Sequence, residues 1–141
     1  MKAHENILVF YKKLPTYNPQ KTTGHNPMHS FTKKVNVQNR CEIYGEVKEE
    51  IIGGGNTDRY PRDVLVFPSD KQKLALHPTQ KPLALCEYMI KTYTNEGDLV
   101  LDSCMGSGTI GVAAKNLHRR FIGMELEEKY FIIAQDRIET A

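Results

Sequence analysis

One block constrains this chain more than any other. Asp98-Leu99-Val100-Leu101-Asp102 reads as a short strand, Gly106-Ser107-Gly108-Thr109-Ile110-Gly111 as a turn opening a helix, and Phe121–Leu126 as a second strand carrying the acid Glu125. Strand, turn, helix and strand in that order make a βαβ unit, which commits the chain to an α/β fold with a parallel sheet. Glycines let the backbone turn tightly and approach a ligand, while the free N–H groups at a helix start favour an anionic or polar group. An acid about 20 residues further on, at the end of the next strand, can take both hydroxyls of a ribose. The whole arrangement points to a nucleoside-type ligand. The same glycines would also serve a turn that only packs a helix onto a strand.

The surrounding pattern extends the unit. His77-Pro78-Thr79-Gln80-Lys81-Pro82 leads into a helix whose apolar face is Leu83, Cys86, Met89, Ile90 and Tyr93, with Thr79 or a neighbour as cap and Pro82 suited to the first turn. Helices are expected at about 109–117 and 128–139. The continuous apolar centre of 98–102 suits a strand covered on both faces. Two more strand candidates, Ile7–Tyr11 and Asp63–Phe67, flank a long, polar, irregular excursion over residues 13–62, broken by Pro15, Pro19, Gly24, Pro27 and Gly53-Gly54-Gly55. Net charge is +2, yet residues 1–41 hold Lys2, Lys12, Lys13, Lys21, Lys33, Lys34 and Arg40 against the one acid Glu5. A basic segment on a near-neutral body suits a nucleic-acid partner, or a solvated arm.

Several classes fall away. Only about 15 residues follow Glu125, too few for the second half of a dinucleotide-binding sheet, so a nicotinamide oxidoreductase is disfavoured despite the shared glycine spacing. No apolar run reaches the roughly 20 residues of a membrane helix, and the first residues lack a signal-peptide layout. Three cysteines without paired spacing imply neither a disulfide framework nor a metal site. A cytoplasmic location is expected.

The blocks His77–Pro82, Asp98–Asp102, Gly106–Thr109 and Arg120–Glu125, with Tyr130 and Arg137-Ile138, resemble the C-terminal portion of permuted, catalytic-motif-first DNA amino-methyltransferases. These enzymes use S-adenosylmethionine to methylate adenine N6 or cytosine N4 in double-stranded DNA, and the resemblance fits both targets alike. It covers residues 77–139 most closely and extends to His4–Phe10 and Tyr60–Phe67. It implies an α/β fold: an incomplete, Rossmann-like, doubly wound methyltransferase sheet with an irregular basic insertion. Residues 1–76 would hold the end of the catalytic region and a target-recognition excursion, and residues 77–141 the cofactor-binding portion. By the same resemblance Asp102 orients the cofactor, Gly106, Ser107, Gly108 and Thr109 wrap its methionine portion, Glu125 binds its ribose, and Cys104 and Met105 belong to the same cofactor-binding turn. Thr79, Lys81 and Pro82 line the methionine end. Lys12, Lys13, Lys21, Lys33, Lys34 and Arg40 would contact DNA. Cys104 and Met105 stand where the family often carries an aromatic residue.

The family's catalytic signature, Asp, Asn or Ser before Pro-Pro and an aromatic, is absent: none of the seven prolines adjoins another. No catalytic residue is therefore assigned, and the chain is expected to be inactive alone. Without the strand bearing that signature the sheet would keep an open edge, so either a missing N-terminal half or self-association is expected to cover it. The competing reading is a non-catalytic regulatory module that binds S-adenosylmethionine or DNA.

Overall fold

The computed structural model describes residues 4–27, 55–70 and 76–141. The chain divides into two compact units, residues 1–20 with 63–141 and residues 21–62. In the first, the order is α1 (Leu83–Tyr93), β1 (Leu99–Asp102), α2 (Thr109–Asn116), β2 (Arg120–Gly123) and α3 (Glu128–Thr140). The α/β class and the parallel sheet are as the sequence implies. β1 and β2 pair in parallel from Leu99↔Arg120 to Asp102↔Gly123. The ladder runs on through Met124 N–H to Asp102 O at 2.9 Å, which carries the chain toward Glu125.

α1 starts differently from the sequence expectation. Pro82 is its N-cap, in extended backbone and without a side-chain cap, and the hydroxyl of Thr79 is engaged with His77 instead. The capping acceptor is Asp70, whose Oδ2 takes the Leu83 N–H at 2.7 Å. A carboxylate here satisfies an orphan donor and meets the positive end of the helix dipole. At the other end, Thr94 gives both its N–H and its hydroxyl to Ile90 O.

Helix α2 packs against α1, α3 and both strands. Cys86, Ile90, Ala113 and Ala114 form the buried core, with Leu83, Val100, Ile110, Leu117 and Phe121 partly buried against it. The sheet is covered on one face only among the described residues. Val100 and Phe121 point into the helices, while Leu99 is 50%, Leu101 60% and Ile122 47% exposed. The expectation that strand 98–102 is covered on both faces is therefore corrected. The second helical layer of a doubly wound sheet is not among the described residues.

Ile7–Tyr11 and Asp63–Phe67 are not strands. β-propensity alone makes no ladder, and among the described residues neither segment pairs with another strand. Leu8, Phe10 and Val66 accordingly stand open to solvent. The second segment and the stretch that follows the first are nonetheless anchored. Phe67 meets Tyr88 edge to face at 5.7 Å, and Asn18 gives its N–H to Thr92 O and its amide to Thr94 O and Asn95 Oδ1.

The second unit, within the expected excursion, shows an isolated antiparallel bridge, Thr22↔Arg59. The Arg59 guanidinium donates to Asn26 O, Asn56 O and Asp58 O. No helix among the described residues is long and apolar enough to cross a membrane.

Burial, then the charges of Asp102 and Asp70, pushes the Cys86 thiol up to about 11, whereas Cys104 is exposed. A thiolate-seeking reagent at neutral pH should therefore modify Cys104 in the folded protein and spare Cys86 until unfolding. Peptide-resolved mass spectrometry checks this; early labelling of Cys86 would contradict the packing of α1.

Candidate functional site

The carboxyl ends of β1 and β2 place Asp102 and Glu125 on either side of the turn between β1 and α2, the crevice where open α/β sheets bind ligands. The turn is firmly seated: Met105 through Thr109 are all buried. Met105 N–H bonds Met124 O at 2.9 Å and Gly108 N–H bonds Met105 O at 2.8 Å. Two of its glycines adopt backbone that side chains avoid, with φ +53° at Gly106 and +77° at Gly108, the N-cap of α2.

The glycines do different work. A Cβ on Gly108 would lie 2.9 Å from Ala134 Cβ, and one on Gly111 would overlap Ile138 and Phe121. These two positions are small because α3 packs there. Around Gly106 a Cβ would meet the His77 ring first, at 3.4 Å. Packing thus accounts for Gly108 and Gly111, whereas Gly106 lies beside His77 and donates its N–H to Glu125. From α3, Tyr130, Ala134, Arg137 and Ile138 face the turn and α2; Arg137 donates to Ser107 O.

Glu125 is tied to the turn it faces. Its Oε2 accepts Gly106 N–H at 2.8 Å, and its Oε1 accepts Leu126 N–H at 3.0 Å and Glu127 N–H at 3.1 Å. The N–H of Glu127, then that of Gly106, holds its carboxyl below the ordinary glutamate value. Asp102 accepts Cys104 N–H through Oδ1 at 3.1 Å. Cys104 is exposed, whereas the side chains of Ser107 and Thr109 are buried, so those two shape the turn from within.

Thr79, Lys81 and Pro82 line a different space, a cavity of about 850 Å³ walled by Ile7, Leu65, Leu85 and Met89. None of Asp102, Cys104 through Thr109 or Glu125 lines it. Lys81 Nζ pairs with Glu5 Oε2 at 2.6 Å. The two groups of residues are joined by His77, to which the sequence reading gives no role. Its ring stacks edge-on against Tyr130 with centroids 4.4 Å apart. Nδ1 takes the Thr79 N–H at 3.3 Å. Its place just ahead of Pro78-Thr79 is the signal the sequence offered.

Of the basic residues, Lys12 and Lys13 are exposed in the first unit. Lys21, in the second, lies over the Tyr60 ring at 4.5 Å. Lys33, Lys34 and Arg40 lie outside the described residues.

The DNA methylase family model N6_N4_Mtase matches residues 1–136. The Type II methyltransferase M2.DpnII of Streptococcus pneumoniae is 56% identical over 64 residues, 45% of this chain and 24% of the relative. The Type II methyltransferase M.HpaI of Haemophilus parainfluenzae is 47% identical over 64 residues, 45% of this chain and 20% of the relative. Among solved structures, that of an M1.HpyAVI–SAM complex is 52% identical with a TM-score of 0.48, covering 53% of this chain and 36% of that one. The chain thus spans between a fifth and a quarter of the length of these curated relatives.

A depressed carboxyl stabilises the fold fully above its unfolded value and loses that contribution as pH falls through the folded one. The thermal midpoint of the wild type should therefore exceed that of Glu125→Gln by a margin that is greatest above pH 4.5 and shrinks on acidification below it. Differential scanning calorimetry over that range checks this, and a margin independent of pH would show that the charge does not hold the turn.

Proposed function

The chain belongs to the DNA methylase family N6_N4_Mtase, and on that premise we propose that it is the S-adenosylmethionine-binding portion of a site-specific DNA amino-methyltransferase. The observation that carries this reading is the meeting of Asp102, the buried turn and Glu125 at the carboxyl ends of two parallel strands, with the acid bonded to the turn's own Gly106 N–H. The Type II designation of both relatives supports a restriction–modification setting. In this reading residues 77–141 form the cofactor-binding part, and residues 1–76 hold the end of the catalytic region and target recognition.

The donor and acceptor set fits the cofactor. A carboxylate offers about four lone-pair sites. Three backbone N–H groups occupy Glu125, so a ribose diol finds one site open and must displace one bond to gain the second. The longer contacts from Leu126 and Glu127 yield before the 2.8 Å bond that seats Gly106. Asp102, with Oδ1 on Cys104 N–H, would present its second oxygen to the cofactor. Lys81, now on the Glu5 carboxylate, is suited to an anionic oxygen at the methionine end.

When bound, S-adenosylmethionine supplies a methyl group activated on a sulfonium. This chain's residues hold and orient it, so their contribution is positional. The target is an exocyclic amino group, adenine N6 or cytosine N4, on a base turned out of duplex DNA. Steering that amino group requires the Pro-Pro signature. The chain alone is therefore inactive, and the signature reaches the site from residues outside this sequence or from a second polypeptide. Lys12 and Lys13 would meet phosphates, as would Lys21 once it leaves Tyr60.

Calorimetric titration with S-adenosylmethionine should show binding that Glu125→Ala weakens about tenfold or more through lost charge-assisted bonds. Adding a polypeptide that carries the Pro-Pro signature should then restore methylation of duplex DNA. Binding without restoration would favour the regulatory module, and no binding would overturn the reading.

Removing Lys12 and Lys13 together should lower the salt dependence of DNA binding by about two counterions, without altering sequence preference. Fluorescence anisotropy across a salt series reads this directly; an unchanged slope would take the pair off the phosphates.

A further inference from the structure

Resting on that cofactor reading, we propose that His77 is a positioning residue that couples the segment 77–82 to the glycine turn, so that the two halves of the cofactor site keep a fixed relation. Thr79, Lys81 and Pro82 line one cavity, while Asp102, the turn and Glu125 stand outside it. A ligand that spans both needs a rigid link between them, and His77 touches each.

On one side, Nδ1 accepts the Thr79 N–H at 3.3 Å and lies 3.1 Å from the Thr79 hydroxyl. A ring nitrogen that accepts a backbone N–H carries no proton, so the ring proton sits on Nε2. On the other side the ring fills the space beside Gly106, where a Cβ would come within 3.4 Å of three of its atoms. Tyr130 packs against the ring edge to face, at 4.4 Å and 70°. Tyr130 belongs to α3, the helix that also packs Ala134 against Gly108 and gives Arg137 to Ser107 O. The ring is therefore held by the framework that holds the turn, and it in turn holds Thr79.

Two substitutions separate the two contacts. His77→Asn keeps an acceptor near the Nδ1 position and loses the ring. His77→Phe keeps the ring and loses the acceptor. Amide hydrogen exchange on the unliganded chain, with no reliance on cofactor binding, should show both the Thr79 and Gly106 amides exchanging about five- to tenfold faster in His77→Ala, the scale of one lost hydrogen bond. His77→Asn should restore protection at Thr79 only, and His77→Phe at Gly106 only. S-adenosylmethionine affinity should fall about tenfold in His77→Ala, with the exchange of α2 amides such as Val112 unchanged. Unaltered Gly106 exchange in His77→Ala would overturn the proposal. So would a uniform rise that includes α2, which marks a purely structural role. If the wild type shows the exchange pattern but does not bind S-adenosylmethionine, the coupling stands and the cofactor reading fails.

Discussion

The bond from Gly106 N–H to the Glu125 carboxylate, 2.8 Å long, is the constraint on which the rest of this site depends. It joins the turn after β1 to the segment after β2, residues 19 apart, and closes the βαβ unit at the carboxyl end of its strands. Two backbone features make it possible. The ladder continues past Gly123 through Met124 N–H to Asp102 O, which brings Glu125 level with the turn. The left-handed backbone at Gly106 and Gly108 turns the chain sharply before α2 begins, seating the turn where its N–H can reach the acid. Because Oε1 also takes the first N–H groups leading into α3, one carboxylate fixes three segments at once.

Those dependencies explain what the sequence made legible. α1, β1, α2, β2 and α3 fall close to where apolar periodicity and glycine punctuation put them, because each is a local pattern of three or four residues repeated. The acid after the second strand was legible for the same reason. Ile7–Tyr11 and Asp63–Phe67 were not, since their composition is that of a strand but a strand is defined by its partner. The cap of α1 was also hidden. Asp70 stands 13 residues before Leu83, and no short-range rule links them. The same holds for His77 and Tyr130, more than 50 residues apart in sequence and in ring contact in space. The glycine pattern was legible as a pattern but ambiguous in cause. Only the contacts of Ala134 with Gly108, and of Ile138 and Phe121 with Gly111, separate the packing glycines from the one beside the acid.

The core beneath this site is thin. Its most buried members on α2 are Ala113 and Ala114, and among the described residues no large side chain is fully enclosed. The sheet contributes two strands and leaves Leu99, Leu101 and Ile122 open on the face away from α2. Burial on one face only recovers part of the stabilisation that a covered parallel sheet provides. The side that bears the site is, by contrast, densely bonded: turn, acid, α3 and His77 form a continuous set of backbone-anchored contacts. A ligand pocket organised by backbone N–H groups needs less of a hydrophobic core than one organised by packed side chains, because its geometry is fixed by short, directional bonds. That is why the half-site can be well formed on a small sheet.

The ion pair of Lys81 with Glu5 belongs to the same logic from the opposite direction. Both side chains are largely in water, with relative exposures of 50% and 74%. Exposed pairs of this kind contribute about 0.2–1 kcal/mol, screened further by salt. Glu5 therefore holds Lys81 in position without holding it tightly, and a ligand carboxylate bonded by the same ammonium can replace it at small cost. Glu125 differs, because its three partners are backbone N–H groups held in place by the fold rather than a side chain free to swing into water. A ligand reaching both ends of the site would thus exchange a weak, solvent-exposed pair at Lys81 freely, but at Glu125 it must offer donors good enough to compete with backbone N–H groups. A vicinal diol, with two hydroxyls fixed at adjacent carbons, meets that demand better than a lone hydroxyl does, so in the proposed cofactor site the acid end rather than the lysine end would set the selectivity.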